Sequence, residues 1–206
     1  IKNMVPFAPF DFYLKRKLYI HNMGHATCAY LGDLLGLEYI YQSIDVADVR
    51  ILVQNAMLES ALALSGKYGV PLGDVVLHIT DLLNRFTNAA LKDTCARVGG
   101  DPARKLSPDD RMIGSSALAL EQGTTPAYIA VGAAAGVHRY IKECEGMEQG
   151  MESAKQVLAE VSKLDTEGEL AKLILAMYEK ILSGATLYDL RRAADAVKAS
   201  TLKPIV

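Results

Sequence analysis

Tryptophan is absent from the 206 residues, phenylalanine occurs four times and cysteine three times. Cys28, Cys95 and Cys144 lie at no metal-like spacing, and an odd number cannot all pair within the chain. Neither a disulfide framework nor a cysteine zinc site is expected, and buried, reduced thiols point to a cytoplasmic compartment. No apolar run reaches the roughly 18 residues of a membrane-spanning helix. A formal net charge of -2 gives no electrostatic reason to expect nucleic acid or an anionic membrane as partner, so any phosphate recognition must come from a local cluster. The ten tyrosines lack a basic stripe and read as residues of the core edge, not as base-stacking platforms.

A dinucleotide fingerprint is also missing: no strand runs into G-x-G-x-x-G with an acidic residue about 20 positions later. The nearest glycine cluster, Gly132-Ala133-Ala134-Ala135-Gly136, lies inside an apolar helical pattern, where small residues allow close helix packing. The chain opens at Ile1 without an initiator Met, which fits a fragment of a longer protein.

Half of the residues are hydrophobic, enough for a sizeable core, and their period is helical from Phe10 onward. Ala26 to Leu35 is small and apolar and stops at Gly36. Asp45 or Asp48 can cap a long helix running through Val53, Met57, Ala61 and Leu64 to a stop near Gly66 or Gly69. Pro71 leads into a segment carrying Val75 to Leu83 and ending at Arg85, a cation at a helix C-terminus. Gly99 to Leu106 reads as a polar connector. Ser107, with Pro108 at N1 and two aspartates behind it, reads as the start of a helix that ends near Gly123. Thr125-Pro126 starts the next, and amphipathic segments follow at about 147–164, 167–182 and 186–199. Leu37–Tyr41 is the one candidate extended piece.

The densest chemistry lies in Lys17-Leu18-Tyr19-Ile20-His21-Asn22-Met23-Gly24-His25. On a regular helix, at roughly 100° per residue, Asn22 lies about 140° and His25 about 80° round from Lys17, so amine, carboxamide and imidazole can converge. A lysine becomes a general base when burial or a nearby cation lowers its pKa from ~10.4 towards ~7–8. A carboxamide can steady a developing alkoxide, and an imidazole can orient a hydroxyl. The bland alternatives are a solvated basic run for Lys15, Arg16 and Lys17, a cap or turn for Asn22, and a satisfied core residue for His25. His21 and His25, four apart, echo a zinc pair, but no neighbouring Glu or third ligand completes one.

The pattern K-x-x-x-x-N-x-x-H resembles the signature of the polyol-specific long-chain dehydrogenases, the mannitol dehydrogenase family. A second block, Arg85-Phe86-Thr87-Asn88-Ala89-Ala90-Leu91-Lys92-Asp93, continues through Arg97-Val98 to Asp101-Pro102-Ala103-Arg104-Lys105-Leu106-Ser107-Pro108-Asp109-Asp110-Arg111. It resembles the branch of that family acting on mannitol 1-phosphate. The resemblance implies an all-α, multi-helical substrate-binding domain, like the C-terminal domain of 6-phosphogluconate dehydrogenase-type enzymes. It would span residues 1–206, with 1–9 a linker remnant from a missing N-terminal Rossmann domain. It implies Lys17 as catalytic base, Asn22 and His25 on the reacting oxygen, Arg85 and Asn88 on the substrate, and NAD held mainly by the other domain, with no metal. For a phosphate, Arg104, Lys105 and Arg111 are the candidates, since guanidinium forks match phosphate oxygens; their alternative is surface pairing with Asp101, Asp109 and Asp110. Arg85 could likewise pair with Asp81. His21 is left as structural.

The implied reaction interconverts mannitol 1-phosphate and fructose 6-phosphate by hydride transfer. Mannitol itself, or a hexuronate such as fructuronate or tagaturonate, is the alternative substrate. A different class of function, a non-catalytic helical interaction module, would give Lys17, Asn22, His25 and Arg85 no reason to share a cleft.

Overall fold

The computed structural model describes residues 9–201; the linker remnant expected at 1–9 therefore lies, but for Pro9, outside the described residues. Among these the chain is all-α, with no sheet and only an isolated antiparallel bridge between Tyr39 and Thr94. No described helix is long and apolar enough to cross a membrane.

Three helices make the centre. α1 (Phe10–Arg16) runs without a break through a π-helical turn, Lys17–Asn22, into α2 (Met23–Leu34). After α3 (Ile40–Asp45), α4 (Ala47–Tyr68) crosses the middle of the molecule and ends at Gly69, whose φ of 65° supplies the left-handed cap that a Cβ would strain. α5 (Leu72–Phe86) packs on α4, α6 (Cys95–Gly99) on α2, α7 (Pro102–Lys105) on α9, and α8 (Ile113–Glu121) on α4 and α9. α9 (Ala127–Glu143) then packs on both α2 and α4, and α10 (Met151–Glu160), α11 (Glu169–Leu182) and α12 (Leu187–Thr201) cover its other side.

The glycines of the central helices are there for closeness. A Cβ on Gly132 of α9 would overlap the hydroxyl of Thr27 on α2, and one on Gly24 would come within 2.7 Å of the Met57 side chain on α4. The cluster 132–136 is thus a helix-packing surface, buried throughout.

Local readings hold best where glycine or proline punctuates the chain, and three need correction. Neither Asp45 nor Asp48 caps α4; Val46 is the N-cap and Asp48 lies in the first turn. The supposed connector begins at the last residue of α6, whose N-cap is Thr94, and contains α7, which has Pro102 in its first turn and Asp101 as cap. The Ser107 segment is a set of turns, and the helix starts only at Ile113. Asp110 spends its carboxylate on Arg111 and Arg104 instead of on a helix N-terminus.

A buried carboxylate ties the outer helices to the centre. Glu59 of α4, 3% exposed, accepts hydrogen bonds from the backbone N–H groups of Tyr128 and Ile129 at 3.1 and 3.0 Å, satisfying the start of α9. Lys198 of α12 approaches it at 3.4 Å. Burial nevertheless dominates and pushes the Glu59 carboxyl up to about 7 against those contacts.

Candidate active site

The π turn changes the geometry expected of the first motif. Met23 N–H reaches back to the carbonyl of Leu18, five residues earlier, so residues five apart come onto one face of the helix instead of being splayed as in a regular α-helix. Lys17 and Asn22 are such a pair. Lys17 is exposed and Asn22 half-buried, and neither side chain makes a hydrogen bond or ion pair with a described residue. Of the neighbouring basic residues, Lys15 donates to the Tyr19 hydroxyl at 3.0 Å, and Arg16 lies over the rings of Tyr13 and Phe12.

Beside the turn lies a cleft enclosing about 50 Å³, lined by His21, His25, Ile40, Tyr41, Arg85, Phe86, Asn88, Leu91 and Asp93. It brings His25 of the first motif together with Arg85 and Asn88 of the second, while Lys17 and Asn22 do not line it: His25 comes from α2, Arg85 from the last turn of α5, and Asn88 and Asp93 from the loop behind it. Arg85 is exposed and makes no ion pair with Asp81 or any other described residue. The Asn88 carboxamide oxygen caps the 3-10 turn Ala89–Leu91 by accepting from Ala90 N–H at 3.0 Å. The cavity holds only a few waters; a six-carbon substrate would have to lie across its mouth.

His25 is the best-held group in the cleft. Its ring stacks on Phe86, with centroids 4.8 Å apart and planes at 14°, and its Nε2 stands 3.5 Å from Asp93 Oδ2. Burial pulls the imidazole down to about 4, with Asp93 opposing and His21, Arg97 and Arg111 adding to the fall. His21 is pulled the same way, by burial and then by the cations Arg85, Lys17 and Arg111 with His78. Arg111 acts on both histidines, Lys17 and Arg85 on His21. His21, Phe86 and Asp93 are cleft residues that the sequence did not single out. For Phe86 and Asp93 the only signal was their place inside the second block; for His21 it was the spacing to His25.

The three phosphate candidates are not equivalent. Arg104 is exposed and forks between Asp101, at 2.7 Å, and Asp110, at 3.3 Å. Arg111 is largely buried, its Nε held by Asp110 at 2.8 Å. Lys105 is 4% exposed and has no ion-pair or hydrogen-bond partner among the described residues. Burial, then the charges of Arg111 and Arg104, bring its ammonium down to about 8. None of the three lines the cleft itself.

No group of three or more His, Cys, Asp or Glu among the described residues could hold a metal ion. The described residues also offer no strand leading through a glycine-rich turn into a helix.

Comparison with known proteins carries the identification further. The chain is 37% identical over 174 residues to the mannitol-1-phosphate 5-dehydrogenase of Caldanaerobacter subterraneus subsp. tengcongensis, covering 81% of this chain and 44% of the relative. It is 35% identical over 177 residues to the enzyme of that name from Clostridium acetobutylicum, covering 83% and 46%. The chain thus spans less than half the length of these curated relatives. The fold is shared with the Pseudomonas fluorescens mannitol 2-dehydrogenase solved as a ternary complex with NAD and D-mannitol, at a TM-score of 0.71 and 16% identity over 90% of this chain and 41% of that one. Residues 10–197 match the sequence profile of the mannitol dehydrogenase C-terminal domain, and the chain belongs to that family.

Proposed function

We propose that this chain is the substrate domain of an NAD-dependent oxidoreductase that interconverts mannitol 1-phosphate and fructose 6-phosphate, with Lys17 as general base. The observation that carries the reading is the π turn, which puts Lys17 and Asn22 on one side of the helix, next to the cleft that His25, Arg85 and Asn88 line. The names of the relatives support the phosphorylated substrate. The free cysteines, two of them buried, support a reducing compartment such as the cytoplasm.

NAD has no cradle among the described residues, so the reading assigns it to a further, nucleotide-binding domain of the same protein. A nicotinamide, when bound, takes up a hydride; this chain handles the proton and the orientation. Lys17 removes the proton of the reacting hydroxyl in the oxidative direction and returns it in the reductive one. Asn22 donates to the same oxygen as it gains charge, and neutral His25 accepts from a neighbouring hydroxyl. Lys17 is exposed in the chain alone. The nucleotide domain must cover it, since burial favours the neutral amine that a base requires. Lys105 and Arg111 hold the phosphate, and Arg104, engaged by two aspartates, contributes less.

Free mannitol is the second reading, favoured by the engagement of Arg104 and by the fold shared with a mannitol 2-dehydrogenase. NAD-linked oxidation by the full-length protein, measured with mannitol 1-phosphate, mannitol and the hexuronates side by side, decides between them. The proposal requires kcat/KM to be highest for mannitol 1-phosphate, and a preference for any of the others overturns it.

A further inference from the structure

His25 is held on two sides by groups whose own placement is over-determined. Lys92, just before Asp93, takes a left-handed conformation with φ of 50°, uncommon outside glycine. The following residues are pinned by a short antiparallel ladder: Ile40 N–H donates to the Asp93 carbonyl at 2.9 Å, and Cys95 N–H donates to the Glu38 carbonyl at 2.8 Å. Arg97, on the first turn of α6, closes on Asp93 Oδ1. That leaves Oδ2 for His25, and Phe86 fixes the plane of the ring. His25 Nδ1 makes no hydrogen bond to any described residue.

A neutral imidazole carries one N–H and one lone pair, and a carboxylate can only accept. We propose that Asp93 is the positioning residue of His25: by facing Nε2 it selects the tautomer protonated there and leaves the lone pair on Nδ1, as acceptor for a substrate hydroxyl. The separation of 3.5 Å is longer than a closed hydrogen bond, and contacts of this kind tighten when substrate binds. The proton placed on the imidazole by its carboxylate partner is a recurring way of fixing which nitrogen meets the ligand. The part of the proposal that concerns the hydroxyl rests on the substrate-domain reading. The tautomer does not, because it follows from groups within the chain.

The two parts are separated by two readouts on the full-length protein. Two-bond ¹H–¹⁵N correlation spectra at pH 7.5 should show His25 as the Nε2–H tautomer. In Asp93→Asn, whose amide can donate to Nε2, the His25 signals should move to the Nδ1–H pattern, and Asp93→Glu should restore the original one. With mannitol 1-phosphate, Asp93→Asn should lower kcat by up to roughly 100-fold, the scale set by misplacing a positioned group, with KM little changed. A wild-type spectrum showing Nδ1–H or a mixture overturns the proposal without recourse to any variant, as does an unchanged tautomer in a folded Asp93→Asn protein. If the tautomer shifts as stated but no polyol substrate turns over in the wild type, the positioning role stands and the substrate-domain reading falls.

Discussion

Phe86 and His25 lie face to face, 4.8 Å between ring centroids and 14° between planes, joining the C-terminal end of α5 to the first turn of α2. Phe86 is 5% exposed, so truncating it removes core packing and the imidazole's support together. Phe86→Ala should cost about 3–5 kcal/mol of stability. Phe86→Leu should cost much less but still lower kcat, because an aliphatic chain fills the space without fixing the ring plane. Denaturation curves alongside turnover check this; unaltered kcat in Phe86→Leu would remove the stacking from the account of the site.

The same burial makes His25 a pH reporter. Its folded pKa of about 4 lies below the ordinary 6.5, so between these values the folded chain binds fewer protons than the unfolded chain. Stability from His25 is therefore complete above about pH 6.5 and is lost as pH falls towards 4, amounting at most to about 3 kcal/mol. The facing groups are Asp93 and Arg97 from the loop and α6, Arg111, and His21 on its own helix. NMR titration should find the His25 ring flat from pH 8 down to about 5; a midpoint near 6.5 contradicts this environment.

Lys198 faces a carboxylate that has almost no solvent. Lys198→Met leaves Glu59 with its two backbone donors and no cation, at a cost of roughly 1–3 kcal/mol, below the fully buried case because the lysine is partly exposed. Since Glu59 is raised to about 7, stability from its protonation is present below about 4.5 and is lost as pH rises through 7. The loss in Lys198→Met should therefore be larger at pH 8 than at pH 5. Thermal melts at the two pH values test the sign, and equal losses would mean that the carboxylate does not feel the lysine.

For the phosphate, Lys105→Met should raise KM for mannitol 1-phosphate by tens of fold, as a lost charge-assisted contact of roughly 1.5–3 kcal/mol requires, and leave mannitol nearly untouched. Arg104→Gln should do little, since exposed pairs contribute only about 0–1 kcal/mol. Because the Lys105 ammonium titrates at about 8, KM for the phosphorylated substrate should climb as pH passes that value. Equal effects of Lys105→Met on both substrates would take the phosphate away from it.

The ends of α2 and α4 were legible because Gly36 and Gly69 mark left-handed caps, and His25, Arg85 and Asn88, marked out by resemblance to the family's two blocks, line one cleft. The π turn was not legible: it has no compositional mark, and reading Lys17 and Asn22 on a regular helix set them about 140° apart. Asp93 meets His25 beside the Tyr39–Thr94 bridge, a tertiary contact with no local pattern. Glu59 resembles any solvent-facing glutamate of a long helix until α9 places its N-terminus over it. Lys105 and Arg104 are adjacent in sequence, yet one is buried and the other exposed, because a turn of α7 sends neighbouring side chains to different faces.

The assignment of Lys17 as base is tested most directly by kcat of Lys17→Ala in the full-length protein, with NAD and mannitol 1-phosphate across pH 6 to 10. The account predicts a fall of ~10²–10⁴-fold, with KM little changed and the pH dependence of the wild type lost. Near-normal turnover at neutral pH in a correctly folded Lys17→Ala protein would contradict it.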